Sequence, residues 1–302
     1  MNKIKRIDKI LTKLNIKFEV YGTNLSFIGF SSFFDQKIHS CSWVENLNQN
    51  SINILKDSKA SIILLKKKPP IDNFLKTFII VKNPREVFFE IINSIHKPEK
   101  IKETYIHPTA IISKDAKIGK NVFIGEYCVI GNCKINDNSI IKSYTKIHDD
   151  VYIGKNVSIY EFCNIGGMGF GHIWSKNKYI NQLHIGDVYI EDDVEIFPYT
   201  NIDKGTLSTT KIGKGTKIDH FCHIGHNTKI DENNLIMCNS TTLGSTSLGK
   251  KNIFGAGTMI RDNTEIGNNN FFGMRSSVLK PVKDKEIWYG APAKFIKENK
   301  QE

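Results

Sequence analysis

Three histidines lie close together in the chain, at His220, His223 and His226. An imidazole has an ordinary pKa of about 6.5, so it can accept a proton near neutral pH and serve as a general base. Grouped imidazoles can also bind zinc, which needs ligands that converge on one point. Which chemistry is open to these side chains depends on the structural elements that carry them.

A six-residue repeat surrounds the histidines. An aliphatic residue recurs at this interval from Ile106 to Ile165, with one five-residue step, and returns at Ile190. From Ile212 to Val278 the repeat is unbroken, and only Thr242 departs from the apolar rule. A small or β-branched residue precedes most of these positions by two, and Gly often follows them. The pattern predicts a triangular parallel coil of about eight to nine turns, with the aliphatic side chain inside, the small residue beside a corner and Gly tolerating the bend.

This coil separates two of the histidines. His220 and His226 occupy the same position in consecutive repeats, so they point from different faces of one coil. An intrachain zinc site is therefore not expected, and no metal is predicted. Proton acceptance is the chemistry that this stretch favours.

The composition is that of a folded chain. Its 302 residues are 40% hydrophobic and 24% charged, which excludes wholesale disorder. The net charge of +11 favours anionic partners, but no aromatic and basic recognition motif accompanies it, so a nucleic-acid partner is not expected. No run of eighteen apolar residues occurs, so no membrane span is predicted.

The six cysteines lack CxxC spacing, which favours a reducing cytoplasm over a disulfide framework. Four of them occupy the small position of the repeat and are expected to pack there: Cys128, Cys133, Cys163 and Cys222.

The repeat also divides the chain. Residues 1–100 lack it and are predicted to form a small α/β domain, with helices at 4–15 and Pro84–Ile95 and strands at 18–29, Ala60–Leu65 and Phe78–Val81. Residues 101–290 form the coil, and 291–302 form a tail or short C-terminal helix. The predicted fold class is therefore mainly β, a parallel β-helix preceded by a small α/β domain and followed by a short helix.

Two interruptions break the coil. The longer, Gly166–His184, contains Phe170, Trp174 and Tyr179, and such an aromatic, glycine-containing loop can cover a substrate or an acyl chain. The shorter is a four-residue insertion after Ile202.

The hexapeptide pattern resembles the left-handed parallel β-helix of the hexapeptide acyltransferases. This resemblance implies a left-handed coil and a homotrimer with active sites between neighbouring coils. Within that group the chain is similar, over nearly its whole length, to the UDP-3-O-acylglucosamine N-acyltransferases. The segments that carry this similarity are Gly169-Phe170-Gly171, Asp192–Ile196, Thr200–Leu207, Ile218-Asp219, Ile224–Asn227, Val81–Pro84 and, more loosely, Ser42–Asn46.

The resemblance implies roles for individual residues. His226 would be the general base. The chemistry of the reaction adds two expectations: a backbone N–H near Gly244 or Gly225 can serve as oxyanion donor, and Asp203 and Asp219 can orient this base or hold the sugar. The other residues implied to bind substrate are Asn227 beside the base, Phe170 and Gly171 at the acyl or sugar portion, and Trp43 and Asn46 at the uridine base.

The implied reaction is N-acyl transfer from a thioester to the amine of a nucleotide-linked amino sugar, with no permanently bound cofactor. In the family's form the acceptor is UDP-3-O-acylglucosamine, for lipid A synthesis, and the donor is a hydroxyacyl-acyl-carrier protein. An acetyl-CoA or short acyl-CoA donor with a dTDP- or UDP-amino-deoxysugar for surface glycan is the alternative. It is suggested by the ending Tyr289–Lys294, by the missing C-terminal helical extension, and by Arg261-Asp262-Asn263 where the family has a second histidine. A non-catalytic scaffold would not need the Gly-His-Asn segment.

Overall fold

The computed structural model describes residues 4–71, 76–96 and 101–299. The chain divides into two compact units, Met1–Glu99 and Lys100–Glu302. Across the three described ranges, no helix has both the length and the apolar character needed to cross a bilayer.

In its described residues the first unit combines three helices with a five-stranded sheet. In chain order the elements are β1 (Lys5–Arg6), α1 (Ile7–Lys13), β2 (Glu19–Tyr21), β3 (Ser26–Phe27), β4 (Gly29–Phe30), β5 (Ser40–Trp43), α2 (Gln49–Asp57), β6 (Ile62–Leu65), β7 (Thr77–Ile80) and α3 (Pro84–Ile95). The strand order in the sheet is β2-β7-β6-β5-β4, with β2 antiparallel to β7 and the other neighbours parallel. A separate short pair joins β1 to β3.

Sequence patterns located most of these elements. The helix predicted at Pro84–Ile95 is confirmed, with Pro84 in its first turn. The central strands β6 and β7 are confirmed within two residues, and their side chains are mostly buried, as expected for parallel strands covered on both sides. The helix α2 was not predicted because its sequence is largely polar; it begins at the cap Asn48, whose side chain accepts from Ser51 N at 2.8 Å.

The second unit is a triangular parallel coil with three sheets as its sides. Sheet 1 contains Tyr105–Ile106, Phe123–Ile124, Ile140–Ile141, Ser158–Ile159, Glu195–Ile196, Lys217–Ile218, Leu235–Ile236, Ile253–Phe254, Phe271–Phe272, Glu286–Tyr289 and Lys294–Glu298. Sheet 2 contains Ile111–Ile112, Val129–Ile130, Lys146–Ile147, Asn164–Gly167, Asn201–Asp203, His223–Ile224, Thr241–Thr242, Met259–Ile260 and Ser277–Val278. Sheet 3 contains Lys117–Ile118, Lys134–Ile135, Val151–Ile153, Asp187–Ile190, Thr209–Ile212, Lys229–Ile230, Ser247–Leu248 and Glu265–Ile266.

The interior of the coil is the aliphatic column that the repeat predicts. In sheet 2, for example, Ile165, Ile202 and Ile224 are stacked in register and fully buried. Thr242 continues this column, and its buried hydroxyl has no hydrogen-bond partner among the described residues. The predicted parallel β-helix and the mainly β fold class are therefore confirmed.

The repeated glycines do not make the bends of the coil, contrary to the expectation. The bend is made by the third residue after the aliphatic position, such as Asn227 and Asn233, with φ of 61° and 59°. Gly225, directly after the aliphatic residue, does not have a positive φ, but a Cβ there would stand 2.8 Å from Gly244 N in the next turn. Glycine at this position is needed for the close approach of two backbones.

The cysteines in the small position behave as packing residues. Cys128, Cys133, Cys163 and Cys222 are buried, and all six cysteines are free thiols. Burial raises the pKa of the Cys163 and Cys222 thiols to about 12, which suppresses the reactive thiolate.

The expected C-terminal helix is wrong for residues 294–298. Lys294–Glu298 is a strand that pairs antiparallel with Glu286–Tyr289 at the end of sheet 1. The last coil strand would otherwise present an unpaired sheet edge, and this segment covers it with backbone hydrogen bonds. Residues 300–302 of the predicted tail lie outside the described residues.

Candidate active site

His226 lies at the corner that follows the sheet 2 strand His223–Ile224, at the wall of a cleft of about 750 Å³. Its imidazole is half-buried, and its Nδ1 lies 3.4 Å from Thr206 Oγ1. The other residues that line the cleft are Phe170, Gly171, His172, Tyr179 and Gln182, all from the longer interruption. The imidazole is thus accessible to a ligand and lies beside both insertions.

Asn227 attaches the shorter insertion to the coil. Its Oδ1 accepts a hydrogen bond from Thr206 N at 2.6 Å, and its own N–H donates to Thr210 Oγ1 at 2.8 Å. These bonds use the side-chain oxygen and the backbone of Asn227, so in this structure the residue positions the Thr206 hydroxyl next to His226. The predicted substrate-binding residue Asn227 is therefore placed beside His226.

Asp203 is a buried carboxylate behind the cleft, with 5% of its surface exposed. Its Oδ1 accepts from Asn201 Nδ2 at 2.6 Å, and its Oδ2 lies 3.6 Å from His223 Nε2. Burial raises the pKa of this carboxyl, although the hydrogen bond from Asn201 and the nearby imidazoles of His223, His226 and His184 act in the opposite direction. Asp203 and His226 therefore belong to one electrostatic cluster.

A line of amides extends from Asp203 along the outer surface of sheet 2. Asn164 and Asn201 are in register on neighbouring strands, and Asn164 Nδ2 donates to Asn201 Oδ1 at 2.7 Å. Asn164 Oδ1 in turn accepts from His148 Nε2 at 2.8 Å. All the donors in this line point towards the Asp203 carboxylate, which fixes its position.

His184 is a member of the cluster that the sequence did not identify. Its ring centroid is 4.9 Å from that of His226, with the two planes at 67°. Burial, followed by the charge of His226, lowers the pKa of His184. The only signal in the sequence was its position at the end of the longer interruption.

Asp219 is placed against His220. Its Oδ1 accepts from His220 N at 2.8 Å and is 2.6 Å from His220 Nδ1, and its Oδ2 accepts from Cys238 N at 3.1 Å. Burial alone would raise the pKa of Asp219, but the bonds from His220 and Cys238 outweigh it and the pKa is lowered. The structure therefore brings Asp203 and Asn227 to His226 but not Asp219.

The two expected oxyanion donors differ in availability. Gly225 N donates to Thr242 O at 2.8 Å and so belongs to the coil. Gly244 N has no acceptor among the described residues, and Gly244 lies against the His226 ring. Gly244 is the N–H that a ligand beside His226 can use.

The remaining predicted residues occupy two separate places. Phe170 is 87% exposed and, with Gly171, lines the His226 cleft. In the first unit, Trp43 and Asn46 line a pocket of about 370 Å³. Trp43 is half-buried and its ring centroid is 6.4 Å from that of Phe88, whereas Asn46 is exposed. Within the described ranges, no three His, Cys, Asp or Glu side chains are grouped so that they could hold a metal ion.

Comparisons with known proteins agree with the fold. The bacterial transferase hexapeptide (six repeats) family model matches residues 132–167 and 209–244. The solved structure of UDP-N-acetylglucosamine O-acyltransferase from Moraxella catarrhalis is similar, with a TM-score of 0.59 and 27% identity over 65% of this chain and 75% of that one. The enzyme from Francisella novicida has a TM-score of 0.60 and 25% identity over 65% and 71%. This likeness confirms the left-handed parallel β-helix.

Two curated relatives indicate the family of this chain. UDP-3-O-acylglucosamine N-acyltransferase 1 of Legionella pneumophila is 37% identical over 207 residues, which are 62% of this chain but only 58% of the Legionella protein. UDP-3-O-acylglucosamine N-acyltransferase of Campylobacter lari is 30% identical over an alignment of 312 positions, gaps included, which covers 97% of this chain and 94% of that protein. On this nearly full-length match, the chain belongs to the UDP-3-O-acylglucosamine N-acyltransferase family.

Proposed function

We propose that this protein transfers an acyl group from a thioester to the amine of a nucleotide-linked amino sugar, with UDP-3-O-acylglucosamine as the acceptor. The observation that carries this proposal is the contact between His226 and Gly244. A proton acceptor at the wall of the cleft lies beside a residue whose backbone N–H has no acceptor among the described residues. The names of the family relatives support this choice of acceptor.

The reaction needs a base and an oxyanion donor. The neutral amine attacks the thioester carbonyl carbon and forms the C–N bond, while His226 takes one amine proton. Gly244 N donates to the oxygen that becomes negative. The C–S bond then breaks, and the imidazolium of His226 returns the proton to the leaving sulfur, which yields the amide and the free thiol.

Asp203 supports His226 electrostatically. A buried carboxylate attracts a positive charge on a nearby imidazole, so Asp203 can stabilise the charge that develops on His226 during the reaction. It is also the candidate to hold the sugar next to the base. Asp219, which contacts His220, stays a prediction as a sugar-binding residue.

Substrate contacts are proposed in both units. Phe170 and Gly171 would contact the acyl or sugar portion in the His226 cleft. Trp43 and Asn46 would bind the uridine base in the pocket of the first unit, since an indole can stack on a base and an amide can recognise its edge.

The proposed donor is a hydroxyacyl group on acyl-carrier protein. An acidic carrier would be attracted by a chain with a net charge of +11. Every proton and bond in the reaction is accounted for by the thioester, the amine and side chains of this chain, so no permanently bound cofactor is invoked. The cytoplasm, where both substrates would be found, stays a prediction.

We also infer a homotrimer. Five exposed aromatic rings are stacked along one corner of the coil, with centroid separations of 5.2 Å for the first pair and 4.9 Å for the others. This exposed apolar strip supports self-association, and light scattering would measure the mass of the assembly. The rings are those of Tyr127, Tyr144, Phe162, Tyr199 and Phe221.

The decisive experiment is a thiol-release assay with hydroxyacyl-carrier protein and acetyl-CoA side by side, on a panel of UDP- and dTDP-linked amino sugars. The His226→Ala variant should lose about 10²–10⁴-fold in kcat. His220→Ala is the matched control, because His220 occupies the same repeat position on the adjacent side of the coil, and it should lose far less activity than His226→Ala. Unchanged turnover in His226→Ala would refute the assignment of His226 as the base, and transfer from acetyl-CoA alone would refute the proposed donor.

A further inference from the structure

His184 carries a hydrogen-bond acceptor that has no donor. Only 4% of the residue surface is exposed, and Nδ1 lies 2.9 Å from Gln182 O. Because a carbonyl oxygen can only accept, Nδ1 must carry the hydrogen and Nε2 must carry the lone pair. Nε2 is buried and has no partner among the described residues.

A buried acceptor without a donor is unfavourable, because it has lost its bond to water and gained nothing in return. The bond to Gln182 O holds the ring in place, so Nε2 cannot turn to find another donor. A ligand that brings an N–H or O–H to Nε2 would satisfy it and gain affinity from doing so.

Glycine backbone lies against this acceptor. A Cβ on Gly169 would stand 2.8 Å from His184 Nε2 and 3.1 Å from His226 Cβ. A Cβ on Gly171 would stand 3.1 Å from His184 Cε1. The segment Gly169–Gly171 therefore lies over the Nε2 edge of His184 and against His226, and neither glycine places a side chain on this edge.

The two imidazoles are neighbours. Their centroids are 4.9 Å apart and the rings meet edge to face. An amine nitrogen carries two hydrogens, so one amine can donate to a nitrogen of each ring. The lone pair of the amine is then left for attack on a carbonyl carbon.

We propose that His184 is a positioning residue for the acceptor amine, whose one N–H is received by His184 Nε2 while His226 takes the other hydrogen as a proton. This inference rests on the proposed function and deepens it. His184 neither gains nor loses a proton in this step, and the segment Gly169–Gly171 shifts to admit the amine. Burial, followed by the charge of His226, lowers the pKa of His184, which favours the neutral form of His184.

The test compares two substitutions of His184. Gln can place its Oε1 near the position of Nε2 and keeps an acceptor there, whereas Leu removes it. With a saturating thioester, His184→Leu should lower kcat/KM for the amino sugar about tenfold or more, the kinetic equivalent of one lost hydrogen bond. His184→Gln should recover to within about threefold of the wild type.

Three further readouts separate positioning from a structural role. The KM for the thioester and the hydrolysis of the thioester without amino sugar should be unchanged in His184→Leu. The thermal midpoint of His184→Leu should fall no further than that of His184→Gln, because both variants lose the Nδ1–H bond to Gln182 O and only Leu also removes the unsatisfied acceptor. Gly169→Ala should reproduce the loss in kcat/KM with His184 intact, because the added methyl group covers Nε2. Gly29→Ala is its control, because a Cβ at Gly29 meets nothing within 4 Å.

The outcomes are distinguishable. Wild-type kcat/KM in His184→Leu, or equal losses in the Leu and Gln variants, would overturn the positioning role while leaving acyl transfer intact. A wild-type protein that acylates no amino sugar in the panel would overturn the proposed function, and this inference with it.

Discussion

The α-carbon of Gly244 lies against the imidazole of His226, so that a β-carbon on Gly244 would stand 2.5 Å from the ring Cε1 and 2.7 Å from Nε2. Glycine at this position therefore sets where the ring can be. We expect Gly244→Ala to push the imidazole out of place and to lower kcat by about tenfold to a hundredfold, since a shift of about 1 Å in a catalytic group can cost that much. Steady-state kinetics would measure the effect.

The kcat of Gly244→Ala needs a control for the addition of a methyl group to a glycine. Gly29→Ala adds a methyl group to open space and should leave kcat unaltered. If Gly244→Ala had the kcat of the wild type, the ring would not need the position that Gly244 imposes.

Asn227 combines two functions that substitution can separate. Its φ of 61° favours Asn or Gly, and its Oδ1 accepts from Thr206 N. Asn227→Gly keeps the backbone conformation and removes only the bond to the insertion, so it should lower activity with little effect on stability. Asn227→Ala should also lose about 1 kcal/mol of stability, because alanine is strained at positive φ.

The control for Asn227 lies one repeat further along. Asn233 has a φ of 59°, and Asn233→Gly leaves both insertions untouched. Activity assays and thermal unfolding of the three variants should show a loss of activity in the Asn227 variants alone. Equal activity in Asn227→Gly and Asn233→Gly would contradict a role for the Thr206 bond.

The coil could be predicted from the sequence because one residue of each six-residue repeat must be apolar to fill the interior. Each apolar repeat residue from Ile212 to Val278 must point into the same interior, so the repeat specifies strands, register and core together. The C-terminal strand could not be predicted in this way. Lys294–Glu298 becomes a strand only because the end of sheet 1 offers it unpaired backbone groups.

The candidate site was predictable only in part, because some of its residues lie outside the repeat. His226 and Asp203 lie in or next to repeating segments, so their places followed from the repeat. The role of His184 depends on the carbonyl of Gln182 and the backbone of Gly169, both within a loop that has no periodicity. The pairing of Asp219 with His220 depends on side-chain torsions, which residue spacing does not determine.

The proposed nucleotide pocket of the first unit can be tested separately from acyl transfer. Asn46 is exposed and lines the pocket that also contains Trp43. We expect Asn46→Ala to raise the KM for the nucleotide sugar about fivefold to tenfold, as for one lost hydrogen bond, with kcat almost unchanged. Asn53→Ala, an exposed residue of α2 that does not line this pocket, is the control. Equal KM values for the two variants would mean that the pocket does not recognise the nucleotide.

Asp203 should make stability depend on pH in an unusual direction. Burial raises its pKa, so the folded state binds the proton more tightly than the unfolded chain, in which an Asp has a pKa of about 3.9. Its stabilising contribution is therefore fully present below about pH 3.9 and is lost as the pH rises through the raised folded pKa. At neutral pH the buried charge is destabilising.

Asp203→Asn removes that charge and keeps an oxygen for the hydrogen bond from Asn201. We expect it to raise the thermal midpoint at pH 7.5 by ~2–4 °C, which corresponds to about 1 kcal/mol, and to have a smaller effect at pH 4. Its kcat should fall, because the carboxylate near His226 is gone.

Asp137 is the control, because its pKa shifts in the opposite direction. Its hydrogen bond from Lys120 N at 2.9 Å lowers the pKa of the carboxyl, so Asp137→Asn should not raise the thermal midpoint at pH 7.5. A midpoint for Asp203→Asn below that of the wild type at pH 7.5 would show that the carboxylate stabilises the fold, contrary to this account of the site.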